Sequence, residues 1–201
     1  MAQTIGVVLA GGAGRRMGRP KGELRLDGGS LAERAAKVLR PLCGNVLISL
    51  PKGVRNPAPS FAVVEDEPPA GRGPLAGIAA AFSSTGKADL LVLACDYPAA
   101  DSDLFRVLLA EARPEAQVVV PTDAAGRDHP LVALWRRSAE PLVRDALETG
   151  ALKVQALFAD LEVQRLPAAA LEGWGIDVTL ALANVNWPSE LEGFGIERPG
   201  A

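Results

Sequence analysis

Short apolar runs alternate along this chain with longer stretches whose apolar positions recur at helical spacing. Residues 5–9, I-G-V-V-L, have no polar interruption, as expected of a strand buried on both faces of a parallel sheet. Further strands are expected at 45–50, 61–64, 117–120, 131–135 and 162–166, and 89–94, D-L-L-V-L-A, reads as the central one. A short edge strand is expected at 23–26, before the Asp27-Gly28-Gly29 turn. Helices are expected at 31–40, where Leu31, Ala35, Val38 and Leu39 share a face behind a Ser30 N-cap, and at 75–82, an alanine-rich stretch suited to close packing on the sheet. Asp101 is placed to cap a helix at 102–112, and 139–148 and 153–158 are helical by spacing, with Gly150 between them. Residues 171–183 give mixed signals, and those from Gly193 read as a loose tail. The βα alternation predicts an α/β fold, a three-layer, doubly wound, mostly parallel sheet with right-handed crossovers. One domain over 1–201 is expected, with an antiparallel excursion in the long loop near 120–130.

The first apolar run ends in glycine. Gly11, Gly12 and Gly14 remove side chains where the backbone turns, so that N–H groups can approach an anion closely. Arg15, Arg16 and Lys21 then place three cations in one loop, which suits a polyphosphate and points to a nucleoside triphosphate. Two familiar loops are excluded. G-x-G-x-x-G fails because Met17 stands where the third glycine belongs, and the P-loop fails because Arg19 and Pro20 separate Gly18 from Lys21.

Other residues carry candidate chemistry with a plainer alternative beside each. Asp96, just beyond the 89–94 run, is either a helix-capping loop residue or a carboxylate at the ligand-binding edge of the sheet, fit to hold Mg²⁺ whose other ligands come from the triphosphate. Lys21, after a rigidifying proline, suits phosphate contact better than a solvated loop position. Asp66, inside Glu65-Asp66-Glu67, is either part of a solvated turn or a second carboxylate at the active edge. His129 is the only histidine. A phosphate monoester has a second pKa of about 6 and needs no base to become a nucleophile near neutral pH, so Arg127, Asp128 and His129 read as acceptor-side or loop-positioning residues. Asn184 and Asn186 alternate around Val185 and would share a face of a strand, or form a turn before Pro188.

The loop L-A-G-G-A-G-R-R-M-G-R-P-K resembles the nucleotidyltransferases, and with Gly73-Pro74-Leu75-Ala76-Gly77, Cys95-Asp96-Tyr97-Pro98, Arg127-Asp128-His129-Pro130 and Asn184-Val185-Asn186, in that order, the chain resembles the molybdenum cofactor guanylyltransferases of MobA type. The resemblance covers nearly the whole chain. It implies a Rossmann-like nucleotidyltransferase fold and transfer of GMP from GTP to molybdopterin phosphate with release of diphosphate. It further implies nucleotide contacts from Leu9, Ala10, Gly11, Gly12, Gly14, Arg16, Lys21, Asp66 and Asp96, with Mg²⁺ held by Asp96. His129, Asn184 and Asn186 are implied on the acceptor side, and other molybdenum cofactor assembly proteins as partners. On this reading Lys21 neutralises charge growing on the α-phosphate while Arg15 and Arg16 hold the departing diphosphate. The chain departs from the family pattern at Trp187, where threonine is more usual. Cytidine-selective relatives often read L-A-A-G where this chain reads L-A-G-G, and the extra room at Gly11 suits a purine. A cytidylyltransferase or other nucleotidyltransferase acting on a related phosphorylated acceptor, such as a sugar or polyol phosphate, or a nucleotide-binding protein without turnover, remains the alternative at this point.

Composition narrows the classes. A net charge of −3 and a pI near 5.3, with no basic run longer than Arg15-Arg16 or Arg136-Arg137, exclude binding that relies on neutralising nucleic-acid phosphates. Cys43 and Cys95 lack C-x-x-C spacing, so neither a disulfide framework nor a zinc site is expected and a reduced cytoplasmic setting fits. The apolar runs are too short to span a membrane, and no secretory signal pattern opens the sequence.

Overall fold

The computed structural model describes residues 3–11, 20–26, 28–66 and 71–185. Gly12, Gly14, Arg15, Arg16, Asn186, Trp187 and the expected tail lie outside the described residues.

The chain proceeds through β1 (Thr4–Leu9), a small hairpin of β2 (Arg25–Leu26) and β3 (Gly29–Ser30), α1 (Leu31–Leu39), β4 (Asn45–Leu50), β5 (Ala62–Glu65), α2 (Pro74–Ser84), β6 (Asp89–Ala94) and α3 (Ser102–Ala110). It continues through β7 (Val118–Pro121), β8 (Val132–Trp135), α4 (Glu140–Thr149), β9 (Val163–Leu166), α5 (Ala168–Gly173) and α6 (Val178–Ala181). Seven strands form one sheet in the order β5-β4-β1-β6-β8-β7-β9. All run parallel except β8, which is antiparallel to both β6 and β7. The 122–131 connection between β7 and β8 is the expected antiparallel excursion, pinned by a bridge between Thr122 and Asp128. The 23–26 segment does not extend an edge of this sheet, because Arg25 and Leu26 are satisfied by pairing locally with Ser30 and Gly29.

Side-chain alternation along the strands builds the three layers. Leu91 and Leu93 of β6 pack into one core with α1, α3 and Val8, whereas Leu90 and Val92 pack into a second with α2, α4, Ile5 and Val7. All six residues of β6 are buried, which accounts for the unbroken apolar run from Leu90 to Ala94. The two expected N-caps form, with Ser30 Oγ accepting from Glu33 N (3.0 Å) and Asp101 Oδ1 from Leu104 N (3.0 Å). Residues 153–158 coil more tightly than expected, as a 3₁₀ segment at Val154–Ala159.

The register decides what meets at the sheet edge. Leu9 pairs with Ser49 of β4 on one side and with Ala94 of β6 on the other, so β1 and β6 end level and β4 runs one residue further. Their C-terminal continuations, Ala10-Gly11, Pro51 and Cys95-Asp96, come together at one rim. Ligands of open parallel sheets collect at such a rim.

Candidate nucleotide and acceptor site

The loop after β1 is fastened to both neighbours. Ala10 N donates to Ser49 O (3.1 Å) and Cys95 N donates to Leu9 O (3.2 Å), which fixes where the glycine loop departs. Lys21 sits on a short 3₁₀ turn, Lys21–Glu23, behind Pro20. Its Nζ lies 2.8 Å from Asp96 Oδ2, with side chains 18% and 19% exposed, a contact across 75 residues of sequence. Asp96 Oδ1 is buried and finds no hydrogen-bond donor among the described residues. A buried carboxylate oxygen without a partner is costly, and a cation or donor arriving there would remove the cost. A hard divalent ion that takes most of its ligands from phosphates and water needs only one or two such oxygens, so Asp96 fits a Mg²⁺ ligand.

Asp66 follows β5, and its N–H extends the strand pairing by donating to Leu50 O (2.8 Å). Its Oδ1 accepts from Ser49 Oγ at 2.6 Å. Burial raises its pKa above the ordinary carboxylate value, and the Ser49 hydrogen bond pulls the other way. Two glycines make room for this pair. A Cβ on Gly77 of α2 would stand 2.2 Å from Ser49 Oγ and 3.2 Å from Asp66 Oδ1. A Cβ on Gly11 would stand 2.9 Å from Pro51 Cδ and 3.1 Å from Asp66 Oδ2. The space spared at Gly11 is therefore taken up by the protein's own Pro51 and Asp66, so its bearing on base size acts through them.

Next to this rim, the β7–β8 loop and the C-terminal helices enclose a cleft of about 1000 Å³ lined by Tyr97, Asp123, Arg127, His129, Lys153 and Asn184, among others. His129 is buried, with Nδ1 3.2 Å from the Tyr97 hydroxyl and Nε2 3.3 Å from Asp123 Oδ2. Asp123 also accepts from Arg127 N (3.0 Å), Ala125 N (2.9 Å) and Arg127 Nε (2.7 Å). The Arg127 backbone N–H leads the causes that hold the Asp123 carboxyl well below the usual range, aided by the Arg127 and His129 side chains and the Ala125 N–H against the opposing effect of burial. An ionised Asp123 makes Nε2 the donor in the neutral imidazole and leaves Nδ1 to accept from Tyr97, whose hydroxyl stays protonated because burial, and then the Asp96 charge, push its pKa up. Both ring nitrogens are thus engaged within the protein. Asp128 is held by Arg165 of β9, with both oxygens 3.1 Å from Nε. Cys95, next to Asp96, is no thiolate nucleophile, since burial first and the Asp96 charge second push its pKa upward.

Asn184 is exposed at the cleft, and the next residue ties this segment to the rim, Val185 N donating to Asp96 O at 2.8 Å. Of the residues singled out in the sequence, Leu9, Ala10, Gly11, Lys21, Asp66 and Asp96 thus gather at the ends of β1, β5 and β6, while His129 and Asn184 line the adjoining cleft. Ser49, Asp123 and Lys153 join them without having been singled out, and Gly77 and Tyr97, named only within motif segments, join them too. Ser49 left one signal, a lone hydroxyl in the otherwise apolar V-L-I-S-L run.

Comparison with known proteins bears on this arrangement. The model of the MobA-like NTP transferase domain family matches residues 6–165. A molybdenum cofactor guanylyltransferase of Shewanella halifaxensis is 31% identical over 197 residues, 96% of this chain and 94% of the relative. Among solved structures, molybdopterin-guanine dinucleotide biosynthesis protein A of Archaeoglobus fulgidus superposes with a TM-score of 0.75 at 23% identity, covering 95% of this chain and 96% of its own. The 2-C-methyl-D-erythritol 4-phosphate cytidylyltransferase of Thermus thermophilus gives 0.67 at 20% identity, covering 97% and 98%. The three-layer fold is common to these structures.

Proposed function

This chain belongs to the MobA-like NTP transferase domain family, and on that premise we propose that it transfers GMP from GTP to the phosphate of molybdopterin, releasing diphosphate and forming molybdopterin guanine dinucleotide. A phosphate oxygen of the acceptor attacks the α-phosphorus of GTP, and the bond from that phosphorus to the bridging oxygen of the departing diphosphate breaks. The acceptor is already ionised near neutral pH, so no proton has to be removed from it. The protein's part is positioning and charge neutralisation.

Lys21 is the catalytic cation. On this reading it turns from Asp96 to the α-phosphate, where charge grows during transfer. Asp96 would hold Mg²⁺ through its unpartnered oxygen, and the bound ion would neutralise phosphate oxygens as a Lewis acid. Arg15 and Arg16 are assigned to the departing diphosphate, with Leu9, Ala10, Gly11, Gly12 and Gly14 lining the nucleotide and Asp66 accepting a hydrogen bond from it. His129, Asn184 and Asn186 are assigned to the acceptor side, with His129 positioning Tyr97 and Asp123 rather than acting as a base. Among the described residues no helix is long and apolar enough to cross a membrane. Cys43 and Cys95 are free thiols, which supports a reducing compartment such as the cytoplasm.

The observation that carries the reading is the Lys21–Asp96 pair at the strand ends, with one Asp96 oxygen buried and unpartnered among the described residues. A thermal-shift panel of GTP, CTP, ATP and UTP with Mg²⁺ tests it, because a ligand that binds only the folded state raises the melting temperature. GTP is expected to give the largest shift. A larger shift with CTP would overturn the guanine assignment.

A further inference from the structure

Ser49 is an anomaly in β4. It is 2% exposed, and its hydroxyl points to Asp66 in place of an apolar contact. Its surroundings are built to admit that hydroxyl, since any side chain at Gly77 would collide with Ser49 Oγ. Its backbone works as well, because the Ser49 carbonyl receives Ala10 N at the root of the glycine loop. One residue therefore links the glycine loop to the carboxylate beside it. With Oδ1 of Asp66 engaged, Oδ2 is the oxygen that borders Gly11.

We propose that Ser49 is a positioning residue of the nucleotide site, its hydroxyl holding the Asp66 carboxylate ionised and in one orientation, with Oδ2 presented to an N–H or O–H donor of the bound nucleotide. This rests on the assignment of Asp66 to the nucleotide made above. A half-buried carboxylate that loses its hydrogen-bond donor both rotates more freely and takes up a proton more readily. Burial already biases Asp66 toward the protonated form, and the Ser49 hydroxyl opposes that bias. The glycines that border its two oxygens, Gly11 and Gly77, and the Leu50 carbonyl that accepts from its N–H bring no ionisable side chain to Asp66. The neighbouring carboxylate, Glu65, lies 3.4 Å from Gly53 N.

The test is the dissociation constant of Mg·GTP, measured by titration calorimetry from pH 5.5 to pH 8 without acceptor, for wild type, Ser49→Ala, Ser49→Thr and Asp66→Asn. Taking the ratio of variant to wild type at each pH cancels the titration of the nucleotide itself. Ser49→Ala is expected to bind about 3-fold more weakly than wild type at pH 8 and about 10-fold or more at pH 5.5, because its Asp66 protonates at higher pH. Asp66→Asn has no carboxylate to protonate, so its deficit should not grow toward pH 5.5 as that of Ser49→Ala does. Ser49→Thr, which keeps the hydroxyl, should restore the wild-type pH dependence. A Ser49→Ala deficit of one size at every pH would overturn the proposal, since a merely structural loss has no reason to follow the charge of Asp66. Failure of wild type to bind GTP at any pH would instead overturn the nucleotide reading beneath it.

Discussion

Around the ends of β1, β4 and β6, among the described residues, one buried oxygen of Asp96 has no hydrogen-bond partner. Around the β7–β8 loop charged side chains are paired with each other. Asp123 gathers donors from Arg127, Ala125 and His129, and Asp128 is clasped by Arg165. The first region leaves hydrogen-bonding and charge capacity for a ligand to complete. The second uses its capacity for shape, holding the wall of a roomy cleft in place. Loss of a group in the first should therefore damage chemistry out of proportion to stability, and loss of one in the second should do the opposite.

The sharpest attempt to break that contrast is Asp96→Asn. Size and hydrogen bonding are kept while the charge goes, and turnover should fall on the order of 1,000-fold, about 4 kcal/mol of barrier, together with Mg²⁺ affinity. Single-turnover assays across a Mg²⁺ titration check this, and an enzyme with unaltered metal dependence would refute the assignment. Lys21→Ala comes next, raising the barrier by about 2 to 4 kcal/mol while GTP affinity changes less, if the lysine acts on charge that grows during transfer. Comparing the GTP dissociation constant with the single-turnover rate separates the two, and a loss confined to affinity would make Lys21 a binding residue alone.

Gly77→Ala probes the packing beneath Asp66. With its Cβ 2.2 Å from Ser49 Oγ and 2.9 Å from Leu9 Cδ2, the methyl must displace the hydroxyl or push α2 off the sheet. A stability loss of about 1 to 3 kcal/mol by urea titration is expected, accompanied by weaker GTP binding. His129→Asn, on the cleft side, should be the mildest in rate, about 10-fold or less, with a measurable drop in melting temperature because Asp123 and Tyr97 lose a shared partner. If it were as inactive as Asp96→Asn with its fold intact, the histidine would regain the role of base.

The same contrast explains what could be read in the sequence. Lys21 and Asp96 were legible because each closes a local pattern, a cation after glycines and a carboxylate after an unbroken apolar strand, and neighbouring parallel strands then bring the two patterns together. Asp66 was ambiguous inside an acidic triplet. Only the strand pairing, in which Asp66 N reaches Leu50 O, separates it from Glu65, which ends the exposed edge strand. Asp123 gave no signal and Tyr97 appeared only as a motif neighbour of Asp96, since their partner His129 is brought to them through the fold. Residues 171–183 read as mixed because two short helices flank a break at Gly175, whose φ of +82° suits glycine and interrupts any longer period.

The bond from Val185 N to Asp96 O also makes the rim a product of long-range closure. The strand that delivers Asp96 is itself set by a distant pairing, Asp89 lying against Thr4 of β1. The main-chain donor to Asp96 O lies 89 residues further along the chain (185 − 96). Loops of that length cost closure entropy before their contacts reward it, so the rim around Asp96 belongs to the slow, non-local part of folding and is complete only when the segment carrying Asn184 reaches it.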